Sequence, residues 1–133
     1  MKKIFSKSLV SFTTLVMLVG CDKELNRDKC LSYTTAQITT VGGPDNVSVN
    51  QEIDLNVSYF FNNGCGKFDG VESAASGNTT IISLKAKYEG CVCTAIIQTG
   101  EVNYKFKAGQ AGVYYLKFLQ PNNTYFTDTI TVN

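Results

Sequence analysis

Between residues 53 and 61 the chain alternates without a break, with Ile53, Leu55, Val57, Tyr59 and Phe61 on one side and Asp54, Asn56, Ser58 and Phe60 on the other. Side chains of an extended strand point to opposite faces in turn, so this pattern buries one face and wets most of the other, which a helix of 3.6-residue period cannot do. Leu84, Ala86 and Tyr88 repeat the pattern against Lys85 and Lys87, and Val102, Tyr104 and Phe106 repeat it against Asn103, Lys105 and Lys107. Several half-buried strands demand a second layer against which to bury their apolar faces. Thr, Val, Ile, Tyr and Phe are plentiful, Asn and Gly punctuate them, and there are only two prolines, a composition suited to strands and turns. The expected fold class is all-β, an antiparallel β-sandwich of about seven to eight strands.

The front of the chain obeys a different rule. Lys2, Lys3 and Lys7 accompany an apolar run over residues 9–19 that is broken by Ser11, Thr13 and Thr14. Charge followed by apolar residues is the order of a secretory signal peptide. The run is about eleven residues long against the roughly twenty that a helix needs to cross hydrocarbon, so a retained span is not expected. Leu18-Val19-Gly20-Cys21 follows directly and resembles the lipobox of bacterial lipoproteins, in which the cysteine is acylated, typically with palmitate among its chains, and becomes the mature N-terminus. The resemblance implies lipidation at Cys21 and a division into signal peptide (1–20), lipidated tether (21–30) and folded domain (31–133). Each acyl chain contributes roughly 0.8 kcal/mol per buried methylene, so two or three chains hold a protein at a membrane without a spanning helix.

Six of the eight residues from Asp22 to Lys29 are charged and none is periodic, as in a solvated tether. Acidic residues just after the lipid cysteine resemble sorting signals, which retain lipoproteins at the inner membrane in some bacteria and export them in others. Lysines interleave them here. The expected location is the cell envelope, at the outer membrane or cell surface rather than the inner membrane.

Removing Lys2, Lys3 and Lys7 with the signal leaves nine basic and eleven acidic residues, a net charge of −2 rather than the +1 of the precursor. No nucleic-acid partner follows from such a balance. The chain has no histidine, which removes Ser-His and Cys-His nucleophile pairs, histidine zinc sites and the commonest general base together. No enzyme, no catalytic residue, no cofactor and no metal is expected.

With Cys21 set aside, Cys30, Cys65, Cys91 and Cys93 remain, and four cysteines in an exported domain are most economically two disulfides. Residues 62–78 would make an improbably long loop, so a further strand is expected over residues 67–74, carrying Phe68 and Val71. With it, alternating strand directions bring all four cysteines to one pole; without it, Cys91 and Cys93 fall at the other. Read as i and i+2 of one strand, those two are too far apart to bond each other. Each must pair outward, one with Cys30 and one with Cys65, in either of two connectivities. The alternative use of Cys91-Val92-Cys93 is a thiol or copper(I) clamp, without supporting histidines or a methionine cluster.

The C-terminal third carries a second resemblance. Tyr104, Phe106 and Ala108, then Gly112, Tyr114, Leu116 and Phe118, then Asp128, Ile130 and Val132 resemble the last strands of bacterial immunoglobulin-like domains. There a glycine and tyrosine open the penultimate strand, and the tyrosine bonds back to the corner just turned. The cysteine–tryptophan core of antibody domains is absent, since the chain has no tryptophan.

Two further features are candidates for contact with a partner. Lys85, Lys87, Lys105 and Lys107 occupy outward positions and would form a basic stripe if their strands shared a sheet. The turns at residues 42–46, including Pro44, Asp45 and Asn46, around Thr99-Gly100, and at residues 120–123, including Pro121, Asn122 and Asn123, are expected at the pole away from the cysteines. Loops on a rigid sandwich are common recognition surfaces. The function expected is a non-enzymatic envelope binding or assembly module, held to the membrane by lipid, with an envelope protein or glycan as partner. The alternatives are a thiol- or copper-handling lipoprotein and an envelope protease inhibitor.

Overall fold

The computed structural model describes residues 30–133; the expected signal peptide, the expected lipidation site Cys21 and the expected tether up to residue 29 lie outside the described residues. Nine strands follow one another as β1 (Leu31–Thr35), β2 (Gln37–Gly42), β3 (Asn46–Val47), β4 (Glu52–Phe61), β5 (Gly66–Ser76), β6 (Thr79–Glu89), β7 (Gln98–Lys107), β8 (Gly112–Leu119) and β9 (Tyr125–Val132). They form a six-stranded and a three-stranded sheet that enclose one apolar core. The all-β sandwich predicted from the alternation is the fold observed, and the two-residue β3 takes the strand count to nine.

The alternation predicts the core residue by residue. Ile53, Leu55, Val57, Tyr59 and Phe61 are all buried on β4, while Glu52, Asp54 and Asn56 are exposed. β4 is the centre of the smaller sheet, between β2 and β7. Across the core lie Ile82, Leu84 and Ala86 of β6, Leu116 and Phe118 of β8, and Ile130 and Val132 of β9, each within about 1% of complete burial.

β6 organises the larger sheet. One of its edges is covered along its length by β5, and its other edge is shared end to end. Thr79–Ile82 run parallel to Tyr115–Phe118 of β8, whereas Lys85–Glu89 run antiparallel to β1. β9 pairs antiparallel with β8 and parallel with β3. The larger sheet is therefore mixed, because the chain reaches β8 from the smaller sheet and not by a hairpin from β6.

The chain from residue 31 to residue 42 is divided between the sheets. β1 pairs with β6, the buried Ala36 donates its amide to Leu84 O at 2.8 Å, and β2 then pairs with β4. The strand expected at residues 67–74 is present as β5, with a bulge between Phe68 and Gly70 where φ is +115°.

Tyr114 behaves as the immunoglobulin-like resemblance implies. Its hydroxyl donates to Gln110 O at 3.0 Å, and its ring meets Phe106 edge-on with centroids 5.6 Å apart. The hydrogen bond ties the start of β8 to the corner that the chain has just turned.

Candidate functional site

All four described cysteines gather where β1 begins, β4 ends and β6 ends, and they form two disulfides, Cys30–Cys91 and Cys65–Cys93. The Cα atoms are 4.9 and 5.3 Å apart, within the range that a bridge accepts. Both bridges run outward from the Cys-Val-Cys triplet as expected, and the structure selects one of the two connectivities left open. Closing loops of 61 and 28 residues removes chain entropy worth about 3–4 kcal/mol each.

Cys91 and Cys93 do not sit on a strand, contrary to expectation. β6 ends at Glu89 and β7 begins at Gln98, so both lie in the connecting loop. Gly90 opens that loop with φ of +136°, where a Cβ would stand 2.9 Å from Cys65 Sγ. Main-chain bonds set the frame: Gly90 N donates to Cys30 O at 3.0 Å, Glu89 N to Cys65 O at 3.2 Å, and Gly64 N to Thr94 O at 2.9 Å. Gln98 Nε2 closes it by donating to Gly64 O at 3.1 Å. The outward side chains are apolar, with Val92 95% exposed, Ile96 62% and Ile97 63%. This cluster was not anticipated from sequence, although the absence of any charge between Glu89 and Glu101 could have marked it.

The basic stripe does not form. Lys85 and Lys87 belong to β6 in the larger sheet, and Lys105 and Lys107 to β7 in the smaller one, so the two pairs lie on different layers. Acidic neighbours answer three of the four. Lys85 pairs with Glu72 at 3.0 Å, Lys87 with Glu89 at 2.9 Å, and Lys105 with Glu52 and Asp54, both at 3.2 Å. Hydrogen bonds from Lys87 and then Lys67 hold the Glu89 carboxyl below its ordinary range, and bonds to Glu52 and Asp54 raise the Lys105 ammonium. These groups make exposed ion pairs on sheet faces rather than a field for anions.

The three turns do not share a pole. Thr99 and Gly100 are inside β7, opposite Phe60 and Tyr59. Pro44, Asp45 and Asn46 sit by the C-terminal end of β9, where Thr131 N donates to Asp45 O at 2.7 Å. Pro121, Asn122 and Asn123 make the turn at its N-terminal end, roughly 20 Å along a strand that rises about 3.3 Å per residue. The physical reason is the parallel pairing of β8 with β6, which sends the β8–β9 turn back toward the cysteine end. There Gln120, read as a turn residue, is 6% exposed and bonds to both main-chain groups of Ile38.

That turn forms one wall of a shallow groove of about 300 Å³ beside β1. Its lining includes Ser32, Thr34, Gln37, Asn62, Tyr88 and Pro121, hydroxyls and amides beside an aromatic ring with no carboxylate or ammonium. A neighbouring groove of about 370 Å³ lies over Leu31 and the disulfides. Of the loop residues expected to meet a ligand, Pro121 reaches the first groove, and Asn123 lines a third depression beside Lys85. Among the described residues no group of acidic, cysteine or histidine side chains is placed to hold a metal ion.

The family model for the ORF11 β-sandwich domain matches residues 55–132. The chain belongs to the ORF11 β-sandwich family. The ORF11 match begins inside β4 and ends at the last residue of β9, so it takes in Cys65, Cys91 and Cys93 but not Cys30, β1 or β2. No curated protein and no solved structure matches the chain.

Proposed function

We propose that this ORF11 β-sandwich protein is a non-enzymatic, lipid-anchored component of a bacterial cell envelope, acting as a binding or assembly module. The observation that carries this reading is the lipobox-like Leu18-Val19-Gly20-Cys21 behind a signal-type leader, nine residues ahead of Cys30. The two disulfides support export to an oxidising compartment. The uncharged groove beside β1 supports binding, since hydroxyls and amides next to an aromatic ring suit a neutral glycan or an extended peptide better than an anion. As disulfides, Cys91 and Cys93 offer no thiolate, which counts against the thiol or copper alternative. The separation of the turns removes the shared loop surface on which a protease inhibitor would depend.

The test is to express the full precursor in a bacterium that acylates lipoproteins and to weigh the N-terminal peptide of the membrane fraction. A mature chain starting at acylated Cys21, and release of Cys21→Ser from membranes, is the expected result. A mature N-terminus elsewhere would overturn it. Cross-linking in intact envelopes then identifies the partner, and substitutions at Ser32 and Gln37 should weaken its capture.

A further inference from the structure

We infer that the loop between β6 and β7 is a membrane-contact element, with Val92, Ile96 and Ile97 seated in the headgroup boundary of the bilayer that holds Cys21. This rests on the lipid-anchored reading and goes beyond it, because a domain on a tether need not touch the membrane at all.

The first support is exposure under constraint. Three branched apolar side chains stand largely in water within six residues, where an unrestrained loop would fold some of them back onto the sandwich. Here the loop is fastened by Cys91 to Cys30, by Cys93 to Cys65, and by Thr94 and Gln98 to Gly64. It cannot collapse, so its apolar side chains remain directed outward.

Charge is the second support. No ionisable side chain other than the bridged cysteines occurs from residue 90 to residue 100. Glu89, at the border, is neutralised by Lys87 and Lys67 at 2.9 and 3.3 Å. Bringing this surface against lipid therefore strips water from few charged groups.

Position chooses the occupant. Cys30 is both the end of the tether and the disulfide partner of Cys91, the residue before Val92. Nine residues from Cys21 reach at most about 30 Å, so the loop is held close to the point of anchorage. A protein partner of ordinary interface size would cover about 800 Å² per side, more than one short loop presents. A shallow insertion of a few apolar residues, on the order of 5–10 Å deep, is the mode that a lipid boundary accepts. The domain then stands with its cysteine end on the membrane and the β5–β6 turn at Gly77-Asn78 facing away.

Because the chain contains no tryptophan, single indoles report without background. Val92→Trp and, as a control at the far end of β8, Val113→Trp are made in the full acylated protein and reconstituted into phosphatidylcholine vesicles with and without brominated acyl chains. Emission from Val92→Trp should move to the blue and be quenched roughly twofold by brominated lipid, while Val113→Trp stays unquenched. Flotation with the vesicles but no quenching of Val92→Trp would overturn the loop contact alone. A blue shift that follows protein density and ignores brominated lipid would place a second copy on the loop and likewise overturn it. Absence of the acyl mass on Cys21, with no flotation, would overturn the anchor and this inference together.

Discussion

The side-chain amide of Gln120 takes the place of a neighbouring strand for Ile38: Ile38 N donates to its Oε1 at 3.0 Å, and its Nε2 donates to Ile38 O at 3.3 Å. Both residues are buried, so no water replaces those bonds. The arrangement lies where the chain leaves one sheet for the other, and it satisfies two main-chain groups that the change of sheet leaves facing the interior. Gln120→Ala should destabilise the fold by about 1–3 kcal/mol, the cost of leaving buried polar groups unpaired. Urea unfolding checks this, with the midpoint lowered and the slope unchanged. Gln120→Glu should be at least as damaging at neutral pH, because a carboxylate cannot donate to Ile38 O.

The two bridges make a sharper prediction. Thiol titration in denaturant of the Cys21→Ser protein should find no free thiol. Replacing Cys65 and Cys93 together by Ser should cost about 3–4 kcal/mol in thermal or urea unfolding. Two reactive thiols in the Cys21→Ser protein would contradict the pairing.

Tyr114→Phe keeps the ring against Phe106 and removes the hydroxyl that bonds to Gln110 O. A loss of about 0.5–1.5 kcal/mol is expected from that single hydrogen bond, measured by urea unfolding. Tyr114→Ala also removes the aromatic packing and should cost several times more.

Asp128 sits on β9 opposite Leu116, and burial, reinforced by the charge of Asp45, raises its carboxyl above the ordinary range despite a bond from the Thr129 main chain. A folded-state pKa above the unfolded value means that the native state binds the proton more tightly. The charged form therefore weakens the fold at neutral pH, and the penalty fades as pH falls through the folded-state value. Asp128→Asn should accordingly raise the melting temperature at pH 7, with the difference shrinking toward acid and gone below about pH 4, near the unfolded carboxyl value. An equal difference at all pH values would show that charge is not the cause.

Much of the architecture is legible in the residues themselves. Ile53, Leu55, Val57, Tyr59 and Phe61 declare a strand and its buried face, and Phe68 and Val71 mark a further strand that brings Cys65 to the same end as Cys91 and Cys93. Tyr114 was legible because glycine and tyrosine at the opening of a strand make a local bond four residues back. The exposed loop was less so, since Val92, Ile96 and Ile97 have a composition that suits burial as readily as exposure.

What the sequence by itself determined is which side of each strand is apolar, because that follows from spacing along an extended chain; the outward pairing of Cys91 and Cys93 was anticipated from a strand that the structure replaces with a loop. Only the tertiary structure decided which strands are neighbours. Lys85 and Lys87 were separated from Lys105 and Lys107 because β6 and β7 joined different sheets, and the turns at residues 42–46 and 120–123 came to opposite ends of β9 because β8 lies parallel to β6. Lateral pairing depends on main-chain hydrogen bonds, which every residue but proline can donate, so side-chain alternation leaves it open. The same competition among pairings turned Gln120 from a turn residue into the buried partner of Ile38.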